Sequence, residues 1–198
     1  FEIPMTTLLK TFLPIYFLLF FGLAMFWRSY IAWKRTGINP YKLGNSDTVH
    51  DFVGKLFRLT LIVAALIVFV FSFLEGYYHW LSPITWMNSS MLMIIGIALL
   101  VLALIWVLVA QLQMGDSWRI GIDEESKSTL VQHGLFGVSR NPIFLGMLVM
   151  LIGLLLILPT AATLAVTALG FVLIHVQVRL EEAFLAEKYG EDYRKYQM

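Results

Sequence analysis

Apolar residues gather along this chain into five runs: Thr11 to Trp27, Leu59 to Leu74, Met91 to Ala110, Ile143 to Leu158 and Thr160 to Val176. At ~1.5 Å per residue, runs of this length approach the ~30 Å hydrocarbon core of a bilayer. They predict an all-α, polytopic integral membrane protein with about five transmembrane helices. Only Pro159 separates the last two runs, which predicts a tight helical hairpin. Beyond Gln177 the final helix turns polar, with Arg179, Glu181, Glu182, Glu187 and Lys188, and is expected to leave the membrane as a cytosolic C-terminal helix. Gly190 can end it, and Glu191 to Tyr196 reads as one or two further turns. Within the last apolar run, Ala161, Ala165 and Ala168 share one face and Thr163, Thr167 and Gly170 another, a small-residue pattern that favours close helix packing in lipid.

Composition agrees with a membrane protein: 59% of the 198 residues are hydrophobic and 14% charged, with mean hydropathy +0.79. A soluble domain carries about 25% charge. No linker divides the chain, so it reads as one membrane domain, 1–198, with a three-helix scaffold in 1–110 and a second functional half in 111–198. The absence of cysteine excludes disulfides, thiolate metal sites and a cysteine nucleophile. Neither the basic start nor the small-residue cleavage site of a secretory signal is visible, so the first run reads as a retained helix.

Charge placement adds orientation. The Arg28 to Arg58 connection carries six basic residues, Gln111 to Asn141 three and the C-terminal tail four, whereas the opposite side has only Lys10. That asymmetry puts the N-terminus outside and the tail in the cytoplasm. Glu75 to Ser90, rich in Tyr77, Tyr78, Trp80 and Trp86 and free of lysine and arginine, reads as an aromatic belt on the outer side. The polar segment Ser46 to Asp51 reads as a turn into the second helix.

The candidate chemistry lies in two clusters that this orientation brings to the same face. In Ser139 to Gly146, Asn141 suits a helix N-cap and Pro142 the first helical position, and Arg140 stands just outside. Such a start can attract an anion, although alone it reads more readily as a well-made helix start obeying the charge rule. On the last helix His175, Arg179 and Glu182 share a face, as do Gln177, Glu181 and Lys188, which alone describes a solvated helix with internal ion pairs. His50, His79, His133 and His175 show no metal-ligand spacing, so no metal site is expected. Trp118 and Arg119 read as an interfacial anchor and Asp123-Glu124-Glu125 as a solvated run.

Taken together, Arg140-Asn-Pro-Ile-Phe-Leu-Gly146 and, one hairpin later, Arg179-Leu-Glu-Glu-Ala-Phe-Leu-Ala-Glu-Lys-Tyr-Gly-Glu-Asp-Tyr-Arg-Lys-Tyr196 resemble the isoprenylcysteine carboxyl methyltransferase and phospholipid methyltransferase superfamily. The resemblance covers roughly Gln111 to Tyr196. It implies an S-adenosylmethionine-dependent membrane methyltransferase whose C-terminal half holds the cofactor. Carried over by position, it implies cofactor contacts at Ser128, Thr129, Leu130, Val131, Phe136, Arg140, Asn141, Pro142, Phe144 and Glu181. Asn141 stands where the family has histidine, Phe136 and Phe144 where it has tyrosines, and Gln177 where the eukaryotic enzymes carry an arginine for a prenylated carboxylate. These departures bear on the methyl acceptor more than on the cofactor.

The chemistry of those side chains is consistent with the resemblance. Arg140 and a helix N-terminus suit the cofactor carboxylate, Glu181 or Glu182 its ammonium or hydroxyls, and Leu130, Val131 and Phe136 its flat base. Glu182 is the candidate base and Arg179 the candidate substrate-anion anchor. The expected acceptor is a lipid or lipophilic small molecule entering from the bilayer, such as an isoprenylcysteine-like carboxylate or a phospholipid amine, with no nucleic-acid partner. Two other readings are a sterol-reductase-like oxidoreductase and a non-catalytic membrane scaffold. Oligomeric state is not legible in the sequence.

Overall fold

A computed structural model describes residues 5–37, 48–115 and 130–198. Among these residues the fold is helical, with one isolated antiparallel bridge between Pro83 and Thr160. The chain opens with α1 (Met5–Leu19), a π-helical stretch (Phe20–Trp27) and α2 (Arg28–Thr36), which run on as a single helix of 32 residues. Then come α3 (Val49–Phe73), α4 (Ser90–Met114), α5 (Pro142–Ile157), α6 (Ala161–Tyr189) and α7 (Glu191–Gln197). Among the described residues four helices, Met5–Thr36, α3, α4 and α6, are long and apolar enough to cross a bilayer. The fourth apolar run, Ile143 to Leu158, forms the shorter α5 of 16 residues, about 24 Å long. The chain is an all-α polytopic membrane protein.

Element boundaries follow local chemistry. Thr48 caps α3 by accepting from Asp51 N at 3.3 Å, and Thr160 caps α6 by accepting from Thr163 N at 3.0 Å. Gly190, at φ +53°, ends α6 in a conformation that a side chain resists. The stretch from Arg28 to Arg58, expected as a polar connection, is helical over Arg28–Thr36 and again from Val49, because helices carry their basic residues past the apolar run. Glu75–Leu81 and Thr85–Met87 are 3-10 turns in the aromatic connection. Ile84 N donates to Pro159 O at 2.7 Å and Ala161 N to Ser82 O at 2.9 Å, tying that connection to the hairpin turn.

The core lies where α1, α3, α4, α5 and α6 meet, with Leu13, Phe20, Ala64, Leu100, Met150, Leu154 and Ile157 buried. Close approach between α4 and α5 depends on glycine. A Cβ on Gly96 would come within 2.7 Å of Gly153 O, and one on Gly153 within 3.0 Å of Gly96 O. On α6 the small-residue faces are unequal: Thr163 and Gly170 are buried, whereas Ala161, Ala165 and Ala168 are exposed. Packing within the chain therefore uses the Thr/Gly face and leaves the alanine face outward.

Buried side chains tie the first helix to α4 and α3 to α6. Gln111 of α4, 1% exposed, donates from Nε2 to Ala24 O in the π-helical stretch at 2.8 Å, and Arg28 Nη2 donates to Gln111 O at 2.6 Å. This places a cation at the carbonyl-rich end of α4. On the other side of the bundle, Gln177 Nε2 of α6 and His50 Nε2 of α3 lie 2.6 Å apart in a buried contact. Gln177 donates, since its amide nitrogen carries only hydrogens to share.

Candidate functional site

The site is assembled at the end of the bundle where α4 finishes and α5 begins. Gly134, at φ +64°, opens a 3-10 turn (Gly134–Gly137), and Leu135 N donates to Gln113 Oε1 of α4 at 2.8 Å. Trp106 Nε1 of α4 donates to Pro142 O at 2.8 Å, fixing the start of α5 against its neighbour. A Cβ on Gly146 would meet Val107 at 2.5 Å, so glycine there lets α5 lie close on α4.

Pro142 occupies the first turn of α5 as its sequence suggested, but Asn141, at the N-cap position, makes no side-chain capping bond. Its backbone N–H instead donates to Ser139 Oγ at 3.3 Å. The expected asparagine cap is thus not formed, because the Asn141 backbone, at φ −132° and ψ 62°, lies outside the extended region usual for a cap. The amides of the first turn keep their capacity to hold an anion.

Between α5 and α6 runs a groove of about 380 Å³, lined by Val138, Ser139, Arg140, Asn141, Phe144, Leu145, Leu148, Ile174, His175, Val178 and Glu182. At its polar mouth Arg140 Nε donates to Glu182 Oε1 at 2.8 Å, and Arg140 Nη1 donates to Gln197 O at 3.2 Å. Glu182 is 8% exposed, so its carboxylate has a cationic partner where water is scarce. Besides Ser139 and Asn141, the remaining wall is apolar except for the exposed His175, whose Nδ1 lies 2.8 Å from Phe171 O.

The C-terminal α7 folds over the same end. The Tyr196 hydroxyl donates to the Phe136 carbonyl, and the Tyr193 side chain is fully buried. Burial, and then the nearby Glu182 carboxylate, push the Tyr193 phenol up to about 12. Burial also raises Tyr196, with Arg140 opposing. Both phenols are therefore protonated at neutral pH, and that of Tyr196 is a donor.

Of the residues singled out in the sequence, the groove wall brings together Arg140, Asn141, Phe144 and Glu182. Pro142 and Phe136 are buried beside it and contribute backbone carbonyls to Trp106 and Tyr196. Leu130, Val131 and Glu181 are half-buried and Arg179 is exposed; none of these four lines the groove. Ser128, Thr129, Trp118, Arg119 and Asp123-Glu124-Glu125 lie outside the described residues. Sequence reasoning missed Leu145, Leu148, Ile174 and Val178 as walls, although Asn141, Leu145 and Leu148, and likewise Ile174, Val178 and Glu182, follow one helical face at steps of three and four. Among the described residues no cluster of histidine and carboxylates could hold a metal.

Comparison with known proteins bears on the half of the chain that contains this groove. Searches of curated proteins and of solved structures each return no match. The family model described as phospholipid methyltransferase matches residues 91–192, which includes α4 from its second residue, all of α5 and α6, and every groove residue. With more than half of its 198 residues matched, the chain belongs to the phospholipid methyltransferase family, a family of membrane methyltransferases.

Proposed function

We propose that the protein transfers a methyl group from S-adenosylmethionine to the amine of a membrane phospholipid, in the groove between α5 and α6. The observation that carries the reading is the Arg140–Glu182 pair at the mouth of an apolar groove, beside a helix start whose asparagine makes no cap. The residues present suit such a donor. Arg140 and the first-turn amides of α5 would hold its carboxylate, and Glu182 would hold its ammonium or a hydroxyl. Phe144, Leu148 and Ile174 provide an apolar wall. A volume of about 380 Å³ is at the lower end of small-molecule sites.

When bound, S-adenosylmethionine supplies an electrophilic methyl group on a sulfonium. The chain's own residues bind, orient and exclude water. Walls on two packed helices hold reactants in register, and alignment of this kind can supply on the order of 7–11 kcal/mol. No covalent nucleophile is required.

The amine acceptor is favoured over a carboxylate by the fate of the cations. In this reading Arg140 is taken by the donor carboxylate, and Gln177, at the position of the prenyl-carboxylate arginine in the eukaryotic relatives, is buried against His50 and does not line the groove, so no second cation is left there for an acceptor carboxylate. Arg179, the candidate anion anchor, would act from outside the groove, on a lipid phosphate at the boundary. In this reading the N-terminus is outside, the groove mouth opens to the cytoplasm and the lipid enters laterally. Calorimetry in detergent with S-adenosylmethionine and with its demethylated product tests the donor: binding of both is expected, and binding of neither overturns the proposal. Transfer of labelled methyl to phosphatidylethanolamine vesicles tests the acceptor.

A further inference from the structure

His175 is an exposed ionisable residue on a helix long and apolar enough to cross a bilayer, and its place there needs an explanation. His175 follows Ala161, the first residue of α6, by fourteen positions, which at ~1.5 Å each is about 21 Å into a core of ~30 Å. Ionisable groups at such depth are costly and concentrate at functional sites. His175 lines the groove two turns below Glu182, so it shares one cavity with the Arg140–Glu182 pair.

Its hydrogen bonding fixes which nitrogen can work. The Phe171 carbonyl 2.8 Å from Nδ1 can only accept, so Nδ1 carries the hydrogen. In the neutral ring Nε2 then holds the free lone pair. The Phe171 ring lies against the imidazole, with centroids 4.1 Å apart and planes tilted by 38°. Among the described residues no hydrogen bond occupies Nε2.

We propose that His175 is the proton acceptor for the amine substrate in the groove, an inference that rests on the methyltransferase reading above. A phospholipid amine arrives as an ammonium, whose nitrogen has no lone pair to form a bond to carbon. Nε2 takes one N–H proton, leaving the amine its electron pair; that pair forms the N–CH3 bond while the donor's S–CH3 bond breaks and its electrons stay on sulfur. The proton leaves the imidazolium for water at the groove mouth. Glu182 is less suited to the task because Arg140 already holds its carboxylate. Around His175 the facing charges are few: α5 carries no titratable side chain, and Arg140 and Glu182 form a neutral pair. Arg179 is exposed one turn above, and His50 of α3 meets α6 on another face through Gln177. Glu75 and His79 lie in the connection at the far end of α6, and Tyr193 of α7 lies beside Glu182.

The test uses the full chain in lipid nanodiscs, with labelled S-adenosylmethionine, vesicles of phosphatidylethanolamine and phosphatidylglycerol, and the variants His175→Gln and His175→Ala. At pH 7, His175→Gln is expected to lower kcat about 100-fold, with KM for the lipid within about two-fold. Because primary amines lose their proton near pH ~10, the deficit should shrink below tenfold as pH rises towards 10. Donor affinity by calorimetry and the thermal midpoint should stay as in the unaltered chain. A deficit that does not change with pH, no deficit, or a loss of donor binding in His175→Gln overturns the assignment. If the unaltered chain binds donor and methylates the lipid, such a result removes the role of His175 alone. If it binds donor and methylates no amine, the acceptor reading falls and takes this role with it, and if it binds no donor the methyltransferase reading itself falls.

Discussion

Arg140 and Glu182, 42 residues apart, meet through a 2.8 Å hydrogen bond from Nε to Oε1 that joins the start of α5 to the polar third of α6. The pair is asymmetric in its surroundings, since the arginine side chain is 42% exposed and the glutamate 10%. Removing the arginine therefore leaves a buried carboxylate without its partner, whereas removing the glutamate leaves a cation that water can reach. Arg140→Ala should cost about 1–3 kcal/mol and Glu182→Ala less. Thermal midpoints in detergent check the order. Arg140→Ala should also weaken S-adenosylmethionine binding at least tenfold by calorimetry, and Arg140→Lys should recover only part of it because the planar fork is lost.

Asn141 separates stability from binding. Asn141 makes no capping bond that a substitution could remove, and a negative charge suits a helix start, so Asn141→Asp should leave the thermal midpoint equal or higher. The same charge would occupy the anion position between Arg140 and the first-turn amides. Donor affinity should fall about tenfold or more, and unchanged affinity would mean that the donor carboxylate binds elsewhere.

The buried pair between Gln177 and His50 gives a cycle. Either Gln177→Leu or His50→Leu leaves one polar group without its partner, which should cost about 1–3 kcal/mol, while the double substitution should recover most of that loss. Gln177→Arg should destabilise the bundle and should not create activity on a prenylated carboxylate, because a charge at a position 8% exposed has to be buried against α3.

The span pattern and the hairpin were legible because apolar runs and Pro159 are strong local signals, and the positive-inside count placed Arg140 and Glu182 at one end. What the sequence did not carry was azimuth. Helical spacing grouped His175, Arg179 and Glu182, yet only His175 and Glu182 reach the groove, since packing against α3 and α5 sets which side of α6 is covered. Arg179 and Glu181 flank that arc. Asn141 was legible as a helix boundary but not as a cap that fails, because its backbone angles depend on the Ser139 turn and on Trp106 holding the Pro142 carbonyl. The π-helical stretch within Met5–Thr36 had no sequence signal, and its link to Gln111 involves a residue that reads only as the start of a polar connection.

Tyr196 and Tyr193 make the C-terminal helix sensitive to alkaline pH. Tyr196 donates to the Phe136 carbonyl, and Tyr193 is buried beside Glu182, so both phenols are held protonated above their ordinary value of 10, Tyr193 to about 12. In the unfolded chain they would ionise near 10. The folded state therefore binds their protons more tightly; the stability they contribute is fully present below about pH 10 and is lost as pH rises towards 12. The unaltered chain should lose thermal midpoint steeply between pH 9.5 and 11.5, and a Tyr193→Phe, Tyr196→Phe variant should lose less over the same interval although it starts lower at pH 8. The lower start has a separate cause: without the Tyr196 hydroxyl the Phe136 carbonyl loses a donor, at about 1 kcal/mol, and the Gly134–Gly137 turn loses its tie to α7. Thermal melts across pH for the two proteins read both effects, and parallel curves would show that α7 is not held by its phenols.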